Sequence, residues 1–166
     1  APNECQEKRS LYYQYLTSKA YQDAANFWNE AVELCGVAGL DGPFFSNGRY
    51  IYSKLLKEEG ITPEREAALK DTVISIFEMR LQVDQDLVWI GDYASQLVTN
   101  KSKDHAKIDS LFAIAIPGLK EKGKSKHFKQ YFKHLIVNKF NSAPAEEKEE
   151  APAETHASAP AAAAPA

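Results

Sequence analysis

Apolar residues recur along this chain at spacings of three and four, and no segment alternates apolar and polar residues in twos. That spacing belongs to helices with one buried stripe. It predicts seven of them. The first two cover residues 4–18 and 20–36; Leu11, Tyr12, Tyr15 and Leu16 share a face of the first, and Ala24, Trp28 and Ala31 line up on the second. The third, 44–58, gathers Phe45, Tyr52, Leu55 and Leu56. The fourth opens at Thr62-Pro63-Glu64. Thr62 can cap, Pro63 suits a first helical turn, and Glu64 and Glu66 favour the positive helix end. Its stripe is Leu69, Val73, Ile76, Phe77 and Arg80. The fifth, 84–99, carries Leu87, Ile90, Tyr93, Ala94 and Leu97. The sixth, 102–116, carries Ile108, Leu111, Phe112 and Ala115 and is expected to break at Pro117-Gly118. The seventh, 125–141, shows Phe128, Phe132, Leu135, Ile136 and Phe140.

The second helix has the most specific pattern. Small Ala24 and Ala31 let a neighbouring helix come close, and Trp28 between them fills the groove that remains. With the first helix it makes a tight antiparallel hairpin of about 34 residues, the length of one tetratricopeptide unit. Tyr12, Tyr15, Tyr21, Ala24, Trp28 and Ala31 fall where that motif alternates large and small, and Gly36 stops the helix where the motif usually has Pro. The segment therefore resembles the tetratricopeptide-repeat family, although a generic packed hairpin needs a similar stripe. The later pairs match less well, on Gly48 and Tyr52 and on Trp89, Gly91 and Tyr93. The resemblance implies an all-α fold: a short right-handed solenoid of three antiparallel helix pairs, closed by the seventh helix.

Composition changes at residue 143. Residues 1–142 read as one helical domain; 143–166, rich in Ala, Pro and Glu, contain no aromatic or large aliphatic side chain and are expected to form a disordered tail. A hydrophobic content of 44% is enough for the domain to build a core. No apolar run is long enough to cross a membrane. The chain begins Ala-Pro-Asn-Glu-Cys without Met, as signal-peptide cleavage would leave it, or as a trimmed chain would. Cys5 and Cys35 are the two cysteines, at ends of the first hairpin that should lie side by side. They are expected to form a disulfide, which points to an oxidising compartment, or to remain as two buried thiols.

Charge is segregated. Residues 1–100 carry a net −6, residues 101–142 a net +7 from ten lysines, and the tail a net −4. The lysine-rich segment 101–139 could meet an anionic membrane surface or an acidic partner, or be a solvated helix face. It lacks the arginines that read nucleic-acid bases, so no nucleic acid is expected. Lys124, Lys126, Lys129 and Lys133 form the candidate basic patch. His127 and His134 lie seven apart on the same helix and read as partly exposed side chains, since no Cys, Asp or Glu joins them at metal-ligand spacing. No catalytic constellation, metal site or cofactor motif emerges, and an enzyme is not expected.

What remains is a binding surface. In tetratricopeptide proteins the first helix of each pair lines a groove. The resemblance puts Gln6, Arg9, Tyr13 and Thr17 there, and more loosely Arg49, Tyr50 and Lys54. From Cys5 to about Gln82 the chain also resembles secreted repeat proteins of Bacteroidota. The match runs through Cys5, Ser10, Leu11, Tyr12, Tyr15, Trp28, Cys35, Asn47, Gly48, Ile51, Tyr52, Leu55, Asp71, Thr72, Ile76, Phe77 and Arg80. That resemblance implies a periplasmic or outer-membrane-associated scaffold that binds another protein in an envelope secretion or gliding assembly. The alternative is an envelope-surface adaptor acting through segment 101–139.

Overall fold

The computed structural model describes residues 2–119 and 125–141. Among them are seven α-helices and no strand: α1 (Pro2–Thr17), α2 (Tyr21–Cys35), α3 (Gly42–Leu55), α4 (Pro63–Leu81), α5 (Leu87–Thr99), α6 (His105–Gly118) and α7 (Ser125–Asn141), with one 3₁₀ turn at Val37–Gly39. Lys124 and the tail from residue 142 lie outside the described residues.

Side-chain caps explain most of the differences from the expected boundaries. Asp41 Oδ1 accepts from the Phe44 amide, so α3 starts at Gly42. Thr62 Oγ1 accepts from Arg65, as its sequence signature implies. Asp86 and Asp104 accept from the amides of Trp89 and Lys107, so α5 and α6 each start about one turn later than their periodicity suggests. Helix α6 does not break at Pro117 but runs on to Gly118. Pro117 has no N–H to donate to the Ala113 carbonyl, and the helix ends one residue after it. The buried Leu119 then closes the helix, its amide donating to the Ala115 and Ile116 carbonyls.

Successive helices pack as antiparallel pairs, α1/α2, α3/α4 and α5/α6, followed by α7. Contacts between alternate helices define two layers. One layer is α1, α3, α5 and α7. Tyr12 meets Phe44 edge-on, Arg49 reaches Asp92, and Asp92 reaches His127. The other is α2, α4 and α6, bridged by Arg65 to Gln22 and Lys107 to Glu78. The all-helical fold expected from the periodicity is present, and its pair-by-pair packing is that of a short solenoid.

Each seam between pairs is closed by a tryptophan. Trp28 of α2 stacks on Phe44 with ring centroids 4.9 Å apart, and its Nε1 donates to the Phe44 carbonyl at 3.0 Å. Gly48 lies directly beneath the indole, and a Cβ there would run into the ring. At the next seam Trp89 of α5 packs at 4.7 Å on Phe77 of α4, and its Nε1 donates to the Phe77 carbonyl at 3.1 Å. Both indoles are buried with their one donor satisfied, so neither carries the cost of an unpaired N–H. Within the first pair, Tyr15 stacks on Phe27 and Lys8 pairs with Glu30. A disulfide joins Cys5 to Cys35 across the open end of the hairpin, with Cα atoms 5.1 Å apart.

The seventh helix departs from expectation. The stripe Phe128, Phe132, Leu135 and Ile136 was expected to close the stack, yet all four are exposed. Conversely His127 and His134, expected to be partly exposed, are buried. The cause is electrostatic: Asp92 and Asp109 stand on the surface that α7 meets and bind the two imidazoles.

Two outcomes follow from the first seam and the bridge. Replacing Gly48 by Ala should lower stability by about 1–3 kcal/mol, the usual cost of forcing one extra carbon into a packed core. Thermal melts read this, and an unchanged melting temperature would mean that Trp28 is not held against α3. Reducing the Cys5–Cys35 bridge should cost on the order of 3 kcal/mol, by releasing a loop of 30 residues in the unfolded chain. The same melts with and without reductant measure it.

Candidate binding surfaces

The first-of-pair layer brings most of the anticipated surface residues together, but gives several of them structural partners. On α1, Gln6 and Thr17 are exposed, and Thr17 Oγ1 donates only to the local Gln14 carbonyl. Tyr13 is 55% exposed. Arg9 is engaged: its Nη2 donates to Asp41 Oδ2 at 2.8 Å, and its guanidinium lies over the Phe44 ring. Asp41 thus caps α3 and tethers α1 with its two oxygens. The Phe44 amide, and after it Arg9, hold its carboxyl below the usual range.

On α3, Tyr50 is 47% exposed; its ring touches Tyr21 of α2 and lies beneath Lys54 Nζ. The Tyr21 contact sets Tyr50 and Lys54 at the end of the first hairpin where Thr17 lies. Beside them a cleft of about 290 Å³ opens between α3 and α5, lined by Ser46, Arg49, Tyr50, Ser53 and Trp89. Two guanidinium groups lie over the Trp89 ring, with Arg80 at 4.6 Å and Arg49 at 5.7 Å from its centre. Serine hydroxyls, a phenol and an arginine around an aromatic floor can take up both the polar and the flat apolar groups of a partner chain.

Arg49 also belongs to a charged junction beneath this face. Its Nη1 donates to Asp92 Oδ2 at 2.9 Å; Lys126 Nζ and His127 Nε2 donate to Asp92 Oδ1 at 2.6 and 2.7 Å. One carboxylate on α5 thereby holds α3 and α7. Burial pushes its carboxyl up, but the hydrogen bonds from Lys126, His127 and Arg49 more than offset this and hold it at about 2, against the usual 3.8. Gly91 permits the close approach of the His127 ring, which lies 3.0 Å from where a Cβ would stand. A second carboxylate, Asp109 of α6, binds His134 Nε2 at 2.7 Å.

Asp92, Asp109, Ser46 and Ser53 were not singled out from the sequence, and Trp89 only as part of the repeat pattern of its helix pair. Asp92 carried a readable signal, being the lone charged residue of a mostly apolar helix, where a carboxylate must find partners. Of the basic patch, Lys126 is spent on Asp92, while Lys129 and Lys133 are exposed on α7. Among the described residues no group of three His, Cys, Asp or Glu could hold a metal ion, and no helix is long and apolar enough to cross a membrane. The chain matches no protein-family model, no curated protein and no solved structure.

The Asp92 junction generates an acid-lability prediction. Because its folded pKa lies below the usual value, the unfolded chain takes up the proton first. The stabilisation is therefore complete above 3.8 and is lost as pH falls from there toward about 2. Amide exchange should show α7 losing protection in this window before α1–α4 do. Asp92→Asn should weaken α7 docking by about 1.5–3 kcal/mol at neutral pH and flatten the acid response. A variant with an unaltered α7 exchange profile would show that the junction does not hold this helix.

Proposed function

We propose that the protein is a non-catalytic helical-repeat scaffold that holds another protein against the face formed by α1, α3 and α5. The observation that carries this reading is the α3/α5 cleft, where Arg49, Tyr50 and two serines line a pocket with Trp89; Tyr13 is likewise exposed, on α1 of the same layer. Tyrosine, tryptophan and arginine dominate binding energy at protein interfaces, and helices braced by their neighbours present them with little ordering cost.

The Cys5–Cys35 disulfide fits an oxidising environment outside the cytoplasm. The resemblance to secreted repeat proteins supports a finer reading: a periplasmic or outer-membrane-associated site, with the scaffold serving a secretion or gliding assembly. The reading includes no cofactor and no nucleic acid.

A photo-crosslinking residue placed at Tyr50 or at Tyr13, in cells of the native host, tests it. Both positions should trap one and the same protein, and a site on the opposite layer, such as Glu33 of α2, should not. Against that partner once purified, Tyr50→Ala should weaken binding about thirtyfold, the effect of losing roughly 2 kcal/mol at an aromatic anchor. Crosslinks that appear equally from α2 and α3, or a Tyr50→Ala variant of unchanged affinity, would assign the partner to another face.

A further inference from the structure

Helix α7 is oriented inside out. Toward the domain it turns His127 and His134, both buried, together with Tyr131, whose ring lies 5.1 Å from Phe112. Away from the domain it turns Phe128, Phe132, Leu135, Ile136 and Val137, with Phe132 66% exposed. An amphipathic helix facing water only on its outer side would dock the other way round. The two Asp–His pairs hold this orientation against the apolar preference. The end helix of a solenoid normally shows a polar outer face; this one shows an aromatic and aliphatic one.

Charge narrows what can cover it. Helix α7 contains four lysines and no acidic residue. Lys129 and Lys133 flank Phe128, Phe132, Ile136 and Val137 around a shallow hollow of about 530 Å³. Lys133 and Val137 also border a neighbouring hollow that includes Lys101 and Lys103 of the α5–α6 connection, which brings these lysines to the same end of the solenoid. A second copy docked face to face would set two such lysine-rich helices against each other with no acid between them. The chain's own residues 142–166 carry acidic groups, but no aromatic or large aliphatic side chain to bury against the phenylalanines. An anionic bilayer surface supplies both requirements. Its acyl boundary takes a convex apolar ridge without needing a matching groove, and its headgroups meet lysines whose stems reach up beside it.

We propose that the α7 end of the solenoid docks on anionic lipid, with α7 lying flat in the interface: Phe128, Phe132, Leu135 and Ile136 enter the acyl boundary while Lys129 and Lys133, with Lys101 and Lys103 behind them, meet the headgroups. The proposal rests on residues other than those of the protein-binding face.

The test is vesicle flotation of the full, oxidised chain. It should bind vesicles of phosphatidylcholine mixed with phosphatidylglycerol, at least tenfold more weakly bind phosphatidylcholine alone, and release as salt rises. The double variant Phe128→Ser, Phe132→Ser should lose binding at least tenfold with an unchanged circular dichroism spectrum, because both side chains point away from the core. Lys129→Glu with Lys133→Glu should lose at least as much, each lysine being worth about fivefold. Phe132→Trp should gain a blue-shifted emission, quenched by brominated lipid, on the mixed vesicles only. Tyr50→Ala should bind vesicles normally, which separates this surface from the protein-binding one. No flotation at low salt overturns the proposal and leaves the face to a partner protein. Binding that survives the double serine variant overturns it too. So does a dimer that the serine variant abolishes in the absence of any vesicle binding, or vesicle binding seen only after residues 142–166 are removed.

Discussion

The architecture depends on two indoles, each laid across a boundary between helix pairs. A helix pair of this length cannot bury its own apolar face, so everything rests on how one pair meets the next. At each seam the problem is the same: a large flat side chain must displace water from between two helices without stranding its one N–H. Trp28 and Trp89 solve it in the same way, each donating to a main-chain carbonyl of the phenylalanine it packs on. The solutions come from opposite sides. Trp28 reaches forward from α2 to α3, whereas Trp89 reaches back from α5 to α4. The repeat is thus one of physical device rather than of sequence position, which accounts for the weak match of the later pairs to the tetratricopeptide pattern.

How far the sequence revealed this depends on the range of the forces concerned. The α2 stripe was legible because Ala24, Trp28 and Ala31 report their environment through local spacing alone. The disulfide was legible because hairpin geometry brings Cys5 beside Cys35 wherever two antiparallel helices meet. Helix α7 was legible as a helix but not in its orientation. Its apolar stripe argued for one face inward, while the face chosen is set by Asp92 and Asp109, 35 and 25 residues away along the chain. Periodicity carries no information about such partners. Only the isolation of Asp92 within Leu87–Thr99 hinted that a carboxylate there required company. Arg9 and Arg49 lie on α1 and α3, where their guanidinium groups tie helices together through Asp41 and Asp92.

The first-of-pair face and the α7 end are linked by shared chemistry rather than by distance. Arg49 borders the cleft beside Trp89 and also binds the carboxylate that secures α7. Whatever draws Arg49 toward a partner chain competes with Asp92, and whatever strengthens the hold of α7 fixes Arg49 in place. The two surfaces therefore need not behave as separate sites on an inert rod.

The Cys5–Cys35 bridge gives the array a direction. One end of the solenoid is closed covalently; the other is held by ion pairs between α7 and its neighbours. Pulled or digested, such a chain should come apart from its far end inward, shedding helices in reverse order and stopping at a bonded hairpin that retains Trp28. The part that survives longest is then the part that carries Tyr13.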